Sequence, residues 1–482
     1  MNVRQNARKL NKSMKYRKLI ILIFALLFWA NGISQNRQNV FNEITEFIEK
    51  ERKSYNIPNV VVGITNTDSI LYLQNFGKGE IDDLYLIGSN SKSFTALAIL
   101  LLQEKGILDI NLPVKNYLPW FKYKSSEQSD NVRIIDLLNH TSGIPRKSGM
   151  YEPNSNIEIK EYYADILEQI SPKNNNIGNY EYSNLNYQLL GLIIEQTSKK
   201  KYSELLKNEV FEPLNLNKTF ATKNETEQYG LIESYQYLLY FPFLKKSVDY
   251  NDYTVSSGFI ASTAENMCQY LKVLMNAKDT SQNLVVNQNI ANQLFKPRVE
   301  KGSAYGMGWE IRKWEEFERF KHDGLTQSFS SSMLILPELE IGIVIMTNVN
   351  NLPSTIEMAD GILRILTDKE RVEYSKVGFY LRNSLPLFAL WVLIVLFFRI
   401  KQWIRLKFPI GINKGVLSNM WLIIGVAFGL FWVIYFPVAF NTPLFAIIDY
   451  EPNSGYSLIT LTIGIIINSL IGYFNKTRKH FA

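Results

Sequence analysis

Residues 86–97 read Leu86-Ile87-Gly88-Ser89-Asn90-Ser91-Lys92-Ser93-Phe94-Thr95-Ala96-Leu97, a turn followed by a helix. The apolar residues that follow the glycine, as far as Leu101, recur at helical spacing. Ser89 is therefore expected at a helix N-terminus with Lys92 three residues on, and side chains at i and i+3 share one face of a helix. A hydroxyl and an amine then lie beside backbone N–H groups that have no intrahelical acceptor. This arrangement suits a nucleophilic serine, because an amine can take the hydroxyl proton and amides can stabilise a substrate oxyanion.

The Ser-x-x-Lys pattern is weak evidence by itself, because both residue types are common. The pattern occurs again at Ser198 and Lys201, where a lysine run closes an amphipathic helix and indicates a solvated helix end. The catalytic interpretation of Ser89 therefore depends on what the rest of the chain supplies.

The chain of 482 residues has a net charge of +7, and its positive charges are concentrated in three clusters. Residues 1–30, 399–414 and 476–479 contain fifteen Lys and Arg residues and no acidic residue. Removing these fifteen charges from the net +7 leaves −8 for the rest of the chain. The charge distribution therefore predicts no nucleic-acid partner.

Each basic cluster borders an apolar run. The run at 19–30 is short and is followed by small and polar residues, which is the pattern of a secretory signal, with an uncleaved anchor as the alternative. Three longer runs lie at about 383–398, 416–440 and 456–474. Their length and near absence of charge predict transmembrane helices rather than buried core helices.

The distribution of Lys and Arg also predicts orientation. By the positive-inside rule, the basic residues that follow the first and third C-terminal runs are cytoplasmic, whereas the loop 441–455, which has acidic residues and no Lys or Arg, is outside. We therefore expect a multi-pass protein of the cytoplasmic membrane, with the lipid bilayer as a partner, its body outside and its C-terminus cytoplasmic. The predicted parts are a signal segment at 1–35, an extracytoplasmic body at 36–375 and a membrane domain at 376–482. Cys268 is the only cysteine, so no intramolecular disulfide is expected.

Strand patterns lie near both ends of the body, and helical patterns lie between them. Alternating β-branched and aromatic residues predict strands at 60–65, 69–75, 305–312, 317–321, 330–336 and 342–347. Helical spacing is found at 133–139, 157–170, 184–198, 261–276 and 354–366. The fold class expected is α/β (α+β), with one antiparallel sheet assembled from both ends of the body and a helical region inserted between them.

Several kinds of hydrolytic site lack their motifs. The chain has no His-Glu-x-x-His, no cysteine pair, no Gly-x-Ser-x-Gly and no phosphate-binding glycine loop, so we expect neither a metal nor a cofactor. Two polar stretches remain, Tyr182-Ser183-Asn184 at a helix start and Lys321-His322-Asp323-Gly324 before a strand. Taken alone, the first indicates a helix cap beside a packing aromatic, and the Asp-Gly pair of the second indicates a turn.

The order Ser-x-x-Lys, Tyr-x-Asn, His-x-Gly resembles the serine β-lactamase and penicillin-binding-protein superfamily. The resemblance is stronger to its class C β-lactamase-type branch, which also contains esterases, D-amino-acid peptidases and carboxypeptidases. Further stretches typical of that branch are LLNHTSGIP at 137–145, YSNLNYQLLG at 182–191 and YGMGW at 305–309. The resemblance covers nearly the whole body. It implies a β-lactamase/transpeptidase-like fold with about five antiparallel strands flanked by helices, an all-helical lobe, and an active site between the two.

The resemblance also implies catalytic roles. Ser89 matches the acylated nucleophile, Lys92 its partner in proton transfer, and Tyr182 the tyrosine thought to act as general base and then as acid. A cationic Lys92 near the phenol is expected to lower the pKa of Tyr182 from about 10. His140 matches a residue that supports a loop.

The same resemblance implies groups that bind the substrate. Asn184 matches a residue that orients the lysine and binds the substrate amide, and the third motif corresponds to His322, Asp323 and Gly324 on a strand that lines the cleft. The oxyanion hole is expected from the backbone N–H groups of Ser89 and Leu325. Penicillin binders commonly have Lys-Thr-Gly at the third motif, and an imidazole followed by an acid is a poorer carboxylate receptor. We therefore expect inefficient β-lactam turnover and a substrate that lacks this carboxylate or bears an amine.

These observations predict a membrane-tethered serine hydrolase that forms an acyl-enzyme at Ser89. Its expected partner is a peptide or small-molecule substrate, with cleavage of an amide bond next to a D-amino acid in a cell-wall peptide or a peptide prodrug. The enzyme alternative is an esterase or weak β-lactamase, and the alternative of another class is a catalytically silent domain that binds cell-wall peptide. The C-terminal helices either anchor the body or complete a site for a lipophilic substrate.

Overall fold

The computed structural model describes residues 38–150, 157–172, 177–245, 248, 250–277, 285–297, 304–405, 416–439 and 441–475. The predicted signal segment at 1–35 lies outside these residues, and the predicted domain boundaries stay a prediction. The chain forms two compact units, Met1–Glu51 with Asp360–Glu373 and Arg52–Ala359 with Tyr374–Ala482. Within the first unit, Arg371 forms an ion pair with Glu43.

The second unit contains an antiparallel sheet that is built from both ends of the body, as predicted. Its strands are β1 (Asn59–Thr65), β2 (Ile70–Gly77), β8 (Glu310–Trp314), β9 (Phe317–Leu325), β10 (Ser330–Leu336) and β11 (Ile341–Thr347). Their order is β2-β1-β11-β10-β9-β8, so the first strand pairs with the last one. The described sheet therefore has six strands where about five were expected. The residues of β1 and β10 are buried throughout, because this sheet is covered on both faces.

Two smaller sheets complete the strand content of the described residues. One joins β3 (Tyr85–Leu86), β7 (Ala261–Ser262) and β4 (Thr219–Phe220), and it lies directly before the turn at Gly88. The other is a hairpin of β5 (Ser234–Leu238) and β6 (Phe241–Lys245), which the sequence patterns did not predict.

Six helices of the body, α2 to α7, follow one another between β3 and β4, in agreement with the helical region expected between the two ends of the sheet. The helices of the body are α1 (38–54), α2 (Ser91–Glu104), α3 (Ser126–Ser129), α4 (Ile134–Leu138), α5 (Ile159–Glu168), α6 (Asn184–Ser198), α7 (Tyr202–Leu206), α8 (Lys223–Tyr229), α9 (Asp252–Gly258), α10 (Ala264–Met275), α11 (Gln288–Leu294) and α12 (Leu352–Leu366). Residues Ser91 to Leu102 of α2 are all buried, so this helix is the centre of the core rather than an amphipathic surface helix. The helix α6 ends at Ser198 with a left-handed Lys199, in agreement with a solvated helix end there.

Four helices follow the body. They are α13 (Val377–Arg405), α14 (Val416–Ala439), α15 (Leu444–Tyr450) and α16 (Pro452–Asn475). Three of them, over Val377–Arg405, Asn419–Ala439 and Pro452–Tyr473, are long and apolar enough to cross a membrane. The short α15 lies in the predicted loop 441–455.

The loop that contains α15 is hydrogen-bonded to the body. The Gln236 amide donates to the carbonyl of Asp449 (2.6 Å), and the Asn350 amide donates to the carbonyl of Tyr450 (2.9 Å). Lys245 forms an ion pair with the Asp449 carboxylate (3.1 Å). This loop therefore packs on the body that carries the site described below.

Candidate active site

The backbone around Ser89 is held in place from several sides. Gly88 has a φ of +55°, and a Cβ built there would lie 2.3 Å from the backbone nitrogen of Leu325. Glycine is required at this position, because any side chain would collide with the end of β9. The Ser331 hydroxyl donates to the carbonyl of Ile87 (2.8 Å), which fixes the preceding residue to β10. A short 3-10 helix over Gly88–Asn90 then leads into α2.

The Lys92 side chain contacts Ser89 and is completely buried. Its Nζ is 3.0 Å from Ser89 Oγ and 2.8 Å from Asn184 Oδ1, and it also contacts the carbonyl of Ser257. Burial lowers the pKa of Lys92 well below its ordinary value and favours the neutral amine. A neutral amine has two N–H donors, which match the two carbonyl-type acceptors, and its lone pair then faces the hydroxyl of Ser89.

Tyr182 contacts Ser89 from the other side. Its hydroxyl is 2.7 Å from Ser89 Oγ, and Lys92 Nζ lies 4.9 Å from the centre of its ring. Burial raises the pKa of the Tyr182 phenol, although the charge of Arg146 acts in the opposite direction. The expected lowering of the Tyr182 pKa by Lys92 is therefore not found. The reason is that the site buries both groups and so favours a neutral phenol beside a neutral amine.

Asn184 is the first residue of α6, and it is not the N-cap residue of that helix. The N-cap residue is Ser183, whose side chain makes no capping hydrogen bond and instead donates to the carbonyl of Pro145 (3.0 Å). The Asn184 side chain accepts a hydrogen bond from Lys92 Nζ (2.8 Å). His140 lies behind Tyr182 with a ring separation of 4.4 Å and accepts at Nδ1 from the Ser183 N–H (3.3 Å), in agreement with a supporting role.

The stretch His322-Asp323-Gly324 lies inside β9, so the interpretation of its Asp-Gly pair as a turn is wrong. His322 Nδ1 is 2.7 Å from the carbonyl of Asp323, and the Tyr305 hydroxyl is 3.0 Å from Nε2. A carbonyl only accepts, so Nδ1 carries the proton and Nε2 accepts from the tyrosine. Burial lowers the pKa of His322 to about 3. His322 is therefore neutral, and both ring nitrogens already have partners.

Asp323 takes no part in the contacts around Ser89. Successive side chains of a strand point to opposite faces, so Asp323 faces away from the side that His322 occupies. Its carboxylate accepts from the Ser332 hydroxyl (2.8 Å) and forms an ion pair with Lys321 (2.8 Å). The third motif thus contributes packing and backbone to the site rather than a free cation.

A cavity of about 1090 Å³ opens at Ser89. Tyr182, Asn184 and Leu325 line it near Ser89, whereas His322 and Asp323 do not line it. The far wall comes from the C-terminal helices and the α15 loop, through residues that include Leu385, Phe436, Phe445, Ile447 and Leu458. The sequence motifs gave no signal for this wall, because it is assembled from residues distant in the chain.

The charged groups of this cavity are mostly paired. Arg382 forms an ion pair with Glu451 (2.9 Å), and Lys245 forms one with Asp449 (3.1 Å). Arg146, which also lines the cavity, has no ion-pair partner among the residues that the structure describes. Arg146 directly follows the LLNHTSGIP stretch in the sequence, but that stretch indicated no role for it.

The backbone N–H groups expected to form an oxyanion hole belong to two neighbouring segments. Ser89 and Leu325 line the same cavity, and the close approach of Gly88 to the Leu325 nitrogen brings their backbones together. The YGMGW stretch supports this region, because Gly308, with a φ of +78°, lets its loop pack on the backbone of Lys92.

Comparisons with known proteins agree with this geometry. A protein-family model described as Beta-lactamase matches residues 44–367. Protein flp of Staphylococcus aureus (strain N315) is 28% identical over 331 residues, which are 65% of this chain and 65% of that protein. Penicillin-binding protein 4* of Bacillus subtilis (strain 168) is 28% identical over 327 residues, which are 62% of this chain and 69% of that protein. The chain thus spans just under two thirds of the length of the first of these relatives.

Solved structures share the fold. The octameric penicillin-binding protein homologue from Pyrococcus abyssi superposes with a TM-score of 0.60 at 24% identity, covering 72% of this chain and 81% of its own. The class C beta lactamase from Rhodobacter sphaeroides superposes with a TM-score of 0.57 at 20% identity, covering 68% of this chain and 99% of its own. The family model, the shared fold and the grouping of Ser89, Lys92 and Tyr182 together lead to one conclusion: this chain belongs to the beta-lactamase family.

Proposed function

We propose that this protein is a membrane-tethered serine hydrolase that forms an acyl-enzyme at Ser89 and cleaves an amide bond next to a D-amino acid. The observation that carries the proposal is the position of Ser89 Oγ, 3.0 Å from the Lys92 amine and 2.7 Å from the Tyr182 hydroxyl. One neighbour can take a proton and the other can supply one, which is what attack on an amide requires.

The pKa directions of Lys92 and Tyr182 support one order of proton transfers. The neutral Lys92 amine accepts the proton of Ser89 as its oxygen bonds to the substrate carbonyl carbon. The N–H groups of Ser89 and Leu325 hold the oxyanion. The neutral Tyr182 phenol then donates its proton to the leaving nitrogen as the amide bond breaks, and the proton held by Lys92 restores the phenol. In the deacylation half of the reaction, a water molecule attacks the acyl carbon of the ester, and its proton passes to Lys92 and Tyr182. The bond between that carbon and Ser89 Oγ then breaks, and Ser89 leaves as the hydroxyl.

The polar contacts near Ser89 support a substrate without a carboxylate at the third motif. His322 is neutral with both nitrogens engaged, and Lys321 is paired with Asp323 on the other face of the strand. Neither residue offers a cation to an anionic substrate group. This supports a substrate without a carboxylate at that position over a penicillin-like one.

The wall of the cavity supports an apolar group on the substrate. Leu385, Phe445 and Leu458 belong to the helices that follow the body, and they line the same cavity as Ser89. Ligand sites lined by aromatic and aliphatic side chains gain affinity from the apolar surface that they bury. We therefore favour an N-acylated substrate over a free stem peptide, and a role for the helices beyond anchoring. The orientation with the body outside the cytoplasm belongs to this proposal and is supported by the positive-inside pattern.

The test uses the full chain in nanodiscs. A serine-reactive probe should add one mass adduct that is absent in Ser89→Ala, and N-acyl-D-amino-acid anilides should be cleaved faster than their L-isomers. Tyr182→Phe should retain the adduct at a reduced rate. The absence of an adduct in the wild type would contradict the proposal and favour a silent binding domain. The proposal would also be contradicted if the D-isomer were not preferred, or if a chromogenic cephalosporin were turned over at the rate of a dedicated β-lactamase.

A further inference from the structure

The β5–β6 hairpin exposes a cluster of large apolar side chains. Leu238, Phe241 and Phe243 are 56%, 66% and 65% exposed, and Leu244 is 39% exposed. These residues lie within seven positions of one another at the end of a two-stranded hairpin. Exposed apolar clusters of this kind mark interaction surfaces, because leaving them in water is unfavourable.

The three most exposed of these side chains share one face of the hairpin, whereas Leu244 lies on the other face. Leu238 is paired with Phe241 across the strands, and Gln236 is paired with Phe243, so the three apolar side chains share that face. The opposite face is packed against the protein through Tyr237, whose ring contacts Phe379 at 5.2 Å. The face with Leu238, Phe241 and Phe243 contacts the protein at its base, where the Gln236 amide donates to the carbonyls of Gln327 and Asp449, and its apolar side chains are exposed.

Exposed apolar residues elsewhere on the described body are scattered. They lie singly, at Ile81, Ile107, Leu112, Tyr229 and Tyr253 among others. Single exposed hydrophobic residues are normal on protein surfaces. The other concentration among the described residues is on α13, α14 and α16, where outward apolar side chains suit contact with lipid.

The hairpin turn lies at the ends of two of these helices. The Tyr240 ring packs on Tyr380 in the first turn of α13 (5.6 Å), and the Leu239 N–H donates to Asn453 Oδ1 at the start of α16 (3.2 Å). Leu381 of α13, next to this contact, is 64% exposed. The apolar face of the hairpin thus begins where two candidate membrane spans begin.

We propose that the tip of the β5–β6 hairpin inserts into the membrane surface, with lipid as the partner of Leu238, Phe241 and Phe243. This inference rests on the proposed membrane tether. Insertion is shallow, because a two-stranded hairpin keeps backbone N–H and C=O groups at its edges that must not enter hydrocarbon. Aromatic residues are enriched at that depth, where the ring contacts acyl chains and the backbone stays hydrated.

The insertion also bears on the active site. Lys245, at the end of β6, lines the cavity and forms its ion pair with Asp449 of α15. The same hairpin therefore contacts lipid at its tip and the cavity wall at its base. A substrate that carries an acyl chain would meet both surfaces on its way from the bilayer.

The sole native cysteine makes a direct test possible. Cys268 is buried, so a thiol-reactive fluorophore will label a cysteine introduced at the surface. We would place one label at Phe243→Cys, with Leu381→Cys on α13 as the lipid-facing control and Leu112→Cys on the body, 41% exposed, as the water-facing control. Each full-length variant, as a single copy in a nanodisc, is exposed to nitroxide-labelled lipid and, separately, to aqueous iodide. The label is identical at the three sites, so its own affinity for lipid cancels.

The proposal expects the label at 243 to be quenched by the nitroxide lipid, as at 381, and the label at 112 to be quenched by iodide. If the label at 381 follows lipid while that at 243 follows iodide, the hairpin inference is overturned and the tether stands. If the label at 381 also follows iodide, the proposed tether itself fails. Protection of the label at 243 from both quenchers that arises only with two copies per disc would assign the face to a second copy of this chain and overturn the lipid assignment.

Discussion

At the residue scale, the chemistry of Ser89 depends on where the protons lie. Lys92 donates to two fixed acceptors, Asn184 Oδ1 and the carbonyl of Ser257, and this uses both N–H bonds of a neutral amine. The lone pair then has one remaining neighbour, Ser89 Oγ at 3.0 Å. The two buried hydrogen bonds thus orient the lone pair of the amine toward Ser89, in addition to the effect of burial on the pKa of Lys92.

This arrangement predicts the pH dependence of acylation. Burial lowers the pKa of Lys92, so the neutral amine exists at a pH well below the ordinary value of 10.5. The rate constant for labelling by a neutral serine-reactive probe should rise with pH as Lys92 loses its proton, and should reach a plateau before pH 10. Stopped-flow labelling between pH 5 and pH 10 measures this directly.

Tyr182→Phe is the control for that profile. The substitution removes the proton donor but leaves Lys92, so the rate should fall by about 10²–10⁴ while the midpoint stays below the ordinary lysine value. A wild-type rate that continues to rise as far as pH 10 would contradict the assignment of Lys92 as the base. A midpoint that disappears in Tyr182→Phe would transfer that role to the phenol.

The sequence motifs located the groups that contact the nucleophile but not the walls around them. Ser89, Lys92, Tyr182 and Asn184 were all found from spacing and order, and the structure brings them together. The pKa of Tyr182 was misjudged, because a motif gives no measure of burial. The sequence also did not show which side chains of β9 face Ser89, because that depends on which face of the strand packs against it.

At the element scale, prediction succeeded where the local pattern and the packing agree. The strands β10 and β11 and the helix α6 were predicted within one residue of their bounds, because β-branched runs and a clear apolar stripe mark them. The hairpin β5–β6 was missed because its apolar residues are outward-facing, which breaks the alternation expected of a surface hairpin. The helix α15 has seven residues and no period long enough to be recognised.

The short helix α15 offers a test of the cavity wall. Phe445 lies on it and lines the cavity, so Phe445→Ala should remove apolar contact with the acyl part of a substrate. We expect KM for long-chain N-acyl anilides to rise by about tenfold, since a large apolar side chain contributes on the order of 1.5–3 kcal/mol when buried. The KM for an N-acetyl anilide should change little. Steady-state kinetics across a series of acyl lengths measures the difference.

Phe428→Ala on α14 is the matched control. Phe428 is 52% exposed and does not line the cavity, so its removal should leave the dependence on acyl length unchanged. If both variants lose the preference for long chains, the effect comes from general loosening of the helices. If neither loses it, the apolar wall does not bind the acyl group.

At the scale of the whole molecule, the docking of the C-terminal helices on the body was beyond sequence reasoning. The contacts are made by single polar residues such as Gln236, Asn350 and Lys245, each of which pairs with a residue at least 100 positions away in the chain. Polar side chains of these types occur throughout the surface of any protein. Only the assembled fold shows that these particular residues join the apolar C-terminal helices to the part of the body that carries the cavity at Ser89.

The whole molecule should also lose stability in mild acid, because the fold buries neutral histidines. Burial lowers the pKa of His322 from 6.5 to about 3 and lowers the pKa of His140 as well. Above pH 6.5 both folded and unfolded chains carry neutral imidazoles, so these two histidines add no pH dependence there. As pH falls below 6.5 the unfolded chain binds protons that the folded chain cannot, and the free energy of unfolding drops by about 1.4 kcal/mol per pH unit for each such histidine until the folded pKa is reached.

Thermal unfolding of the full chain in detergent between pH 7.5 and pH 4 tests this sign. The Tm should fall more steeply with decreasing pH below 6.5 than above it, because the two histidines add their contribution only below that pH. His322→Gln provides the control, because glutamine keeps a hydrogen-bonding amide near Tyr305 but does not titrate, so its Tm should be lower at neutral pH and decline less steeply in acid. A Tm that rises on acidification, or a slope unchanged by His322→Gln, would mean that the strand β9 admits a charged imidazole, and His322 would then be available to bind a substrate carboxylate after all.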